Sequence, residues 1–176
     1  QATEVGRELA GFVGEREVEF KCSIALRAQQ TATLAARAFE QERGLPRFSI
    51  PIDVIPNVQE IFAGDWELDA SEAAHRSHDT AMRGWCYGDS QAAMEGGERL
   101  HDVLSRFQPA LEEIAAQLAD DRDVILVSHG AAIRVVTKHA TGVDANFAYT
   151  SYIPNCRFTV MEPRGKEFGA WTLTRW

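Results

Sequence analysis

The segment Asp123-Val124-Ile125-Leu126-Val127-Ser128 constrains the fold more than any other part of the chain. Its apolar residues run on without alternation, which is how a strand buried on both faces of a parallel sheet reads. Gly130 follows at once, and AAIRVVTKHAT reads as a helix closed by Gly142. In open α/β sheets, ligands collect at the carboxyl ends of strands. His129 stands at such an end, and the helix N-terminus beside it presents free N–H groups to an anion. Histidine there can serve as ligand, base, nucleophile or charge stabiliser. A strand-end histidine bonded to backbone is the alternative.

Other segments supply the remaining elements. QATEVGRELAGF opens the chain as an amphipathic helix with Val5, Leu9, Phe12 and Val13 on one stripe and no good N-cap before it. A chain that opens inside a helix is expected to be part of a longer polypeptide. Val18 to Ser23 alternates apolar and polar, as a half-buried strand does. Ala25 to Arg43 is rich in helix formers and stops at Gly44 with Pro46 beyond. Ile50 to Ile55 is bounded by Pro51 and Pro56 and reads as a short edge or linking strand. Asp69 to Gly97 lacks sustained periodicity and reads as short helices and loops. From Glu98, Leu100, Val103, Leu104, Phe107, Leu111, Ile114, Ala115 and Leu118 recur at helical spacing, with a kink expected at Pro109. Two strand-like runs, Arg157 to Met161 and Ala170 to Thr174, flank a Pro163-Arg164-Gly165 turn. Helices alternating with strands indicate an α/β sandwich with a mainly parallel sheet.

Charge removes several classes of partner. There are 26 acidic and 18 basic residues, a net charge of −8, whereas nucleic acid and anionic membrane surfaces both call for a positive face. A local basic pocket is still allowed; Lys21, Lys138 and Lys166 are the only lysines, and the rest of the positive charge is arginine. No long uncharged apolar run is present to span a membrane. Cys22, Cys86 and Cys156 are odd in number and widely spaced, which indicates neither a disulfide framework nor a zinc site. A reducing, cytoplasmic setting is the expectation.

Two further segments carry candidate chemistry. In CSIALRAQQTATLAARAF a strand again runs into a helix, and Arg27 falls in the first turn. A cation there opposes the helix dipole, and a bound phosphate would reconcile the two; a solvated surface arginine is the alternative. In VQEIFAGDWE, Glu60 lies between apolar neighbours, a setting that favours a protonated carboxyl able to donate. Asp65 and Glu67 compete with it for that role. His75 and His78, three residues apart, lack a third metal ligand at motif spacing and read as surface residues, as do His101 and His139. Cys22 lacks the Gly-rich anion loop a thiol nucleophile needs, and Trp66 and Trp85 read as packing or pocket walls.

Taken together, these segments resemble the histidine phosphatase superfamily, also called the phosphoglycerate mutase-like family. SIALRAQQTA (Ser23 to Ala32) looks like its S-x-x-x-R-A-x-x-T-A motif, and Glu60 with Gly64-Asp65-Trp66-Glu67 like its E-x-x-x-G-x-W-E motif. Gly96-Gly97-Glu98 resembles G-G-E, Val127-Ser128-His129-Gly130 matches V-S-H-G, and Asn155 stands where many members have a pocket asparagine. The order is the family's, and nearly the whole chain is covered. The W-E-G and G-G-E-S patterns depart at Leu68 and Arg99.

The resemblance implies a single domain over residues 1–176, a three-layer α/β/α sandwich around a mostly parallel sheet. The family's opening central strand, with the R-H-G loop that carries the nucleophilic histidine and a second arginine, is absent from these residues. The implied reaction is metal-independent phosphomonoester hydrolysis through a phosphohistidine, with no cofactor. Glu60 and His129 would be catalytic, and Arg27, Gly130 and Asn155 would bind a small phosphorylated metabolite. A mutase, or a non-catalytic phospho-ligand-binding member, is the alternative; a homodimer is allowed.

Overall fold

The computed structural model describes all residues, Gln1–Trp176. The chain divides into two compact units, one of Gln1–Gln59, Glu113–His129 and Pro154–Arg157, the other of Glu60–Glu112, Gly130–Ile153 and Phe158–Trp176. The elements run α1 (Ala2–Val13), β1 (Glu17–Ser23), α2 (Leu26–Glu42), β2 (Ile52–Ile55), a 3₁₀ turn (Gly64–Trp66), α3 (Glu72–Tyr87), α4 (Leu100–Gln117), β3 (Arg122–Val127), α5 (Gly130–Thr141), α6 (Ala145–Thr150), β4 (Val160–Glu162) and β5 (Thr172–Arg175). This is an α/β fold. No helix is long and apolar enough to cross a membrane.

In the first unit β1 is the middle strand of a parallel sheet ordered β2-β1-β3. Its alternation is expressed directly. Phe20 and Cys22 are buried, and the Phe20 ring meets Phe39 of α2 edge-on at 5.8 Å. Glu17, Glu19 and Lys21 face the other way into an ion-pair ladder across all three strands. Arg122 binds Glu19 at 2.6 Å and Glu17 at 2.8 Å, and Lys21 binds Glu19 at 3.3 Å and Asp53 at 3.0 Å. β2 is an edge strand, as its flanking prolines imply.

α1 packs on α2 through Val5, Leu9, Ala10 and Val13 against an alanine-rich face. Small residues permit this approach: a Cβ on Gly6 would stand 2.2 Å from the Ala35 carbonyl oxygen. Phe12, placed on the stripe by the sequence, is instead 50% exposed, because the apolar arc runs through Gly6 and Ala10.

Three expectations are corrected. β3 is not buried on both faces: all six residues are half-exposed, because it pairs with β1 along one edge and the other edge is unpaired. The region after Asp69 is not a series of short helices. It holds the 16-residue α3, capped by Ser71 accepting from the Ala74 N–H and buried through Ala74, Ala81, Met82, Trp85 and Cys86. Gly84 sits inside that helix because a Cβ there would lie 2.4 Å from the Ala92 side chain. Finally, Leu118 lies past the end of α4, which runs through Pro109 and buries Leu100, Val103, Phe107 and Leu111.

In the second unit α3 packs on α5 and α6, and α5 also meets β5. β4 and β5 form an antiparallel hairpin around the Pro163–Gly165 turn, both strands shorter than their apolar runs.

The α1–α2 contact makes a paired prediction. Gly6→Ala should destabilise by about 1–3 kcal/mol through overpacking. Gly11→Ala, on the same helix with nothing within 4 Å of its Cβ position, should stabilise by about 0.5–1 kcal/mol. Urea-unfolding midpoints that move in the same direction for both would refute the close approach.

Candidate active site

Each unit carries part of the chemistry foreseen in the sequence. In the first, the parallel register Cys22↔Val127 brings the ends of β1 and β3 level. His129 follows β3, is 6% exposed, and places its Nε2 2.9 Å from Oγ of the fully buried Ser23. That hydroxyl oxygen also accepts from the Ala25 N–H at 3.3 Å. Ser128 donates to the Val58 carbonyl at 2.8 Å, fastening the end of β3 to the segment after β2. The imidazole is therefore held at Nε2 by the Ser23 side chain.

Arg27 lies in the first turn of α2, exposed, and its guanidinium makes no hydrogen bond or ion pair. The N-cap residue is Ala25, so no side chain caps this helix, and its first turn holds no acidic residue. Unspent helix N–H groups and a free guanidinium together form a setting for an anion. Asn155 is exposed in the turn closed by Arg157 N–H on the Pro154 carbonyl, and no hydrogen bond joins it to His129 or Arg27. Cys22 is fully buried and burial pushes its thiol up, which opposes a thiolate role.

In the second unit Gly130 opens α5, and no atom lies within 4 Å of where its Cβ would stand. Glu60 is the unexpected feature. Its Oε1 accepts from the N–H groups of Ile61 at 3.0 Å and Ala132 at 2.9 Å, and its Oε2 from Ala131 at 3.3 Å. The apolar cleft expected around Glu60 is thus replaced by amide donors at the N-terminus of α5. Two of the N–H groups near Gly130 expected to meet a phosphoryl group are already engaged. Glu67 is occupied in holding the Ala63 N–H at 2.9 Å, and Asp65 is exposed.

Residues whose roles the sequence did not disclose hold Glu60 in place. Arg106 grips Glu98 with two bonds of 2.8 Å and donates to the Glu60 carbonyl at 3.1 Å, while Glu98 accepts from the Phe62 N–H at 2.9 Å. Gly64, at φ 65°, admits no side chain, since a Cβ would lie 2.2 Å from the Glu95 carbonyl oxygen. Gly96-Gly97-Glu98 was visible as a motif; that Arg106 faces it from two turns into α4 was not. Ser23 was likewise visible only as the first letter of its motif.

The remaining candidates separate in the same way. His75 and His101 are exposed. His78 is exposed as well, as the sequence suggested; its ring lies edge-on to Trp85 at 6.2 Å, and partial desolvation there pushes its pKa down against the opposing pull of Glu60. His139 is half-buried and bonds the Trp85 carbonyl at 2.8 Å, so it is not simply a surface residue. Trp85 is core, and its indole donates to the Ala92 carbonyl at 2.6 Å.

A strand-end histidine and an arginine in the first turn of a helix stand where the sequence placed them, whereas the seat of Glu60 on the N-terminus of α5 was not foreseen. The family model of the histidine phosphatase superfamily (branch 1) matches residues 1–176, and the chain belongs to that family. Among curated relatives, a glucosyl-3-phosphoglycerate phosphatase from Mycolicibacterium vanbaalenii is 31% identical over 102 residues, 54% of this chain and 45% of the relative. An adenosylcobalamin/alpha-ribazole phosphatase from Escherichia coli is 25% identical over 127 residues, 70% of this chain and 56% of the relative. The chain therefore spans about half the length of these relatives. Among solved structures, a protein described as mycobacterial hydrolase 2 superposes with a TM-score of 0.69 at 26% identity, covering 100% of this chain and 76% of that one. A mycobacterial glucosyl-3-phosphoglycerate phosphatase in complex with VO3 shares the fold, with a TM-score of 0.69 at 23% identity over 99% of this chain and 82% of that one.

Glu98 makes the Arg106 support testable. Burial raises its pKa, but the Arg106 pair and the Phe62 N–H outweigh this and hold it below the ordinary value. A depressed carboxyl contributes stability that is complete above its unfolded value, about 4.3. That stability is lost as pH falls through the lower folded value. Arg106→Met should therefore cost most near neutral pH, and its deficit should shrink as pH falls below about 4. A deficit in urea midpoint that is the same at pH 7 and pH 3.5 would show that the pair contributes nothing to stability.

Proposed function

We propose that the chain is the greater part of a metal-independent phosphomonoesterase that acts on a small phosphorylated metabolite through a phosphohistidine. The observation that carries this reading is the unpaired Arg27 guanidinium on an uncapped helix N-terminus, in the same unit as the Ser23-anchored His129. Arginine there opposes the helix dipole unless an anion is bound. A phosphoryl group meets both needs, with bidentate N–H donors from Arg27 and charge neutralisation by His129.

In the first step the nucleophilic histidine nitrogen forms a bond to phosphorus as the ester P–O bond breaks, and Glu60 delivers a proton to the leaving oxygen. In the second, Glu60 takes a proton from water, whose oxygen bonds phosphorus while the N–P bond breaks. Oε2 of Glu60 is suited to carry that proton, since it holds one N–H at 3.3 Å while Oε1 holds two at 3.0 Å or less. Gly130, with open space at its backbone, lends its N–H to the phosphoryl oxygens, and Asn155 contacts the substrate.

The nucleophile belongs, on this reading, to a further strand that pairs with the free edge of β3. An edge strand whose charges stop at Arg122 and Asp123, leaving Val124 to Val127 apolar, half-exposed and without a proline, supports that assignment. The chain and that strand would then fold as one domain.

Two measurements test the roles. Arg27→Ala should weaken phosphate or vanadate binding by about 1.5–3 kcal/mol, the value of a charge-assisted hydrogen bond; unchanged affinity in a folded variant would leave Arg27 an ordinary surface residue. In a longer polypeptide that includes the nucleophile, Glu60→Gln should slow phosphoenzyme formation from an alkyl phosphate and spare an activated aryl phosphate, whose leaving group needs no proton. His129→Ala should slow both alike. Single-turnover rates are required, since slow dephosphorylation would mask the contrast. Equal slowing of both substrates by Glu60→Gln would remove it as the acid, and absence of any phosphoenzyme would favour the phospho-ligand-binding alternative.

A further inference from the structure

A groove of about 630 Å³ lies wholly within the second unit, between one face of α4, the loop after α3 and the end of α5. Its polar lining is Ser90, His101, Ser105, Gln108, Lys138 and His139, with no carboxylate among the lining residues. In a chain of net charge −8, a cavity with one lysine, two histidines and no acid is a local reversal of sign. Its volume falls within the range of small-molecule sites.

Several of the side chains there have no partner within the protein. Of the three lysines, Lys21 pairs with Glu19 and Asp53, and Lys166 donates to Thr172 Oγ1. Lys138 has neither a hydrogen bond nor an ion pair, and the His101 ring has none either. Hydroxyls inside helices usually turn back on the carbonyl four residues earlier, as Thr31, Thr33, Thr80 and Thr141 do. Ser105, exposed on α4, makes no such bond, and neither does Ser77 of α3. His139 is fixed differently. Its Nε2 must donate to the Trp85 carbonyl, an acceptor only; burial pushes its pKa down, against the pull of that bond and with a smaller push from Lys138. The neutral ring then keeps Nδ1 as an acceptor. Gln108 spends an N–H on Glu112 and keeps its carbonyl oxygen. Leu100 and Leu104 add an apolar wall.

Lys138 also stands in the last turn of α5, where a cation offsets the helix dipole. That accounts for a positive charge but not for its place beside an open hydroxyl and imidazole on a groove whose lining holds no acid, Glu112 binding Gln108 from outside that lining. We propose that this groove binds a small organic anion, with a phosphate or carboxylate on Lys138 and His101 and ligand hydroxyls on Ser105, Gln108 and His139. It is a second site, built from residues other than Arg27, Glu60 and His129.

The test is an NMR titration of the 176-residue chain with glycerol phosphate and with glycerol, read at the His101 and His139 rings and the Ser105 amide. These signals should shift saturably with glycerol phosphate, and equally in Arg27→Ala, which separates this groove from the proposed active site. Lys138→Ala should raise the dissociation constant roughly tenfold or more, the loss of one charged hydrogen bond. Ser105→Glu, which introduces a carboxylate, should abolish the shifts even if Lys138→Ala does not fold. Shifts that never saturate, that glycerol reproduces, or that survive both variants would overturn the proposal. So would shifts that vanish in Arg27→Ala. Succinate in place of glycerol phosphate tells a carboxylate ligand from a phosphate one.

Discussion

Three backbone N–H groups, those of Ile61, Ala131 and Ala132, converge on the carboxylate of Glu60. The arrangement of the second unit follows from that convergence. α5 begins at Gly130, directly after His129, with no serine, threonine or aspartate at its start to absorb the N–H groups that every helix leaves unpaired. Glu60 supplies the missing acceptor from seventy residues away, and the cost is a loop that must not move. Gly64 and Gly97 let the Glu60 loop and the segment before α4 lie backbone against backbone, closed by Asp65 N–H to the Glu95 carbonyl and Glu98 N–H to the Phe62 carbonyl, each 3.0 Å. The Glu98–Arg106 pair ties the two segments further, through the Phe62 N–H and the Glu60 carbonyl.

The start of α2 resolves the same physical problem in the opposite way. It too follows a strand of the parallel sheet, yet no acid approaches it, and the residue placed in its first turn is an arginine without a partner. One helix N-terminus is closed by an internal anion, and the other is left open. Two similar strand-to-helix junctions thus differ in electrostatics, the first positioning a carboxyl and the second leaving N–H groups beside a free guanidinium. His129, anchored through Nε2 to Ser23, is tied to the open junction.

Legibility in the sequence followed how local each signal was. α2 and α5 announce themselves by composition and by glycine stops, and β1 by its alternation. α3 did not, because the side chains between its buried positions are polar and include two histidines, and because Gly84 interrupts a helical reading for a packing reason outside the helix. Glu60 could be named from its motif, but its surroundings could not, since two of its three donors lie on an element seventy residues later. Arg106 carried no local signal at all. Its meaning lies in facing Glu98 and the Glu60 carbonyl together.

The misreading of β3 is informative in itself. Glu19 pairs in register with Val124 and Lys21 with Leu126, so the face that carries the ion-pair ladder on β1 turns apolar on β3. Phe20 pairs with Ile125 and Cys22 with Val127 on the face that α2 covers. A surface meant wholly for water would have continued the charges, and one meant wholly for the interior would not have begun them at Glu17 and Asp53. The gradient from charge to Val124 and Leu126 therefore marks where cover is needed: at the β3 edge, where the last strand's hydrogen-bonding groups are also unpaired.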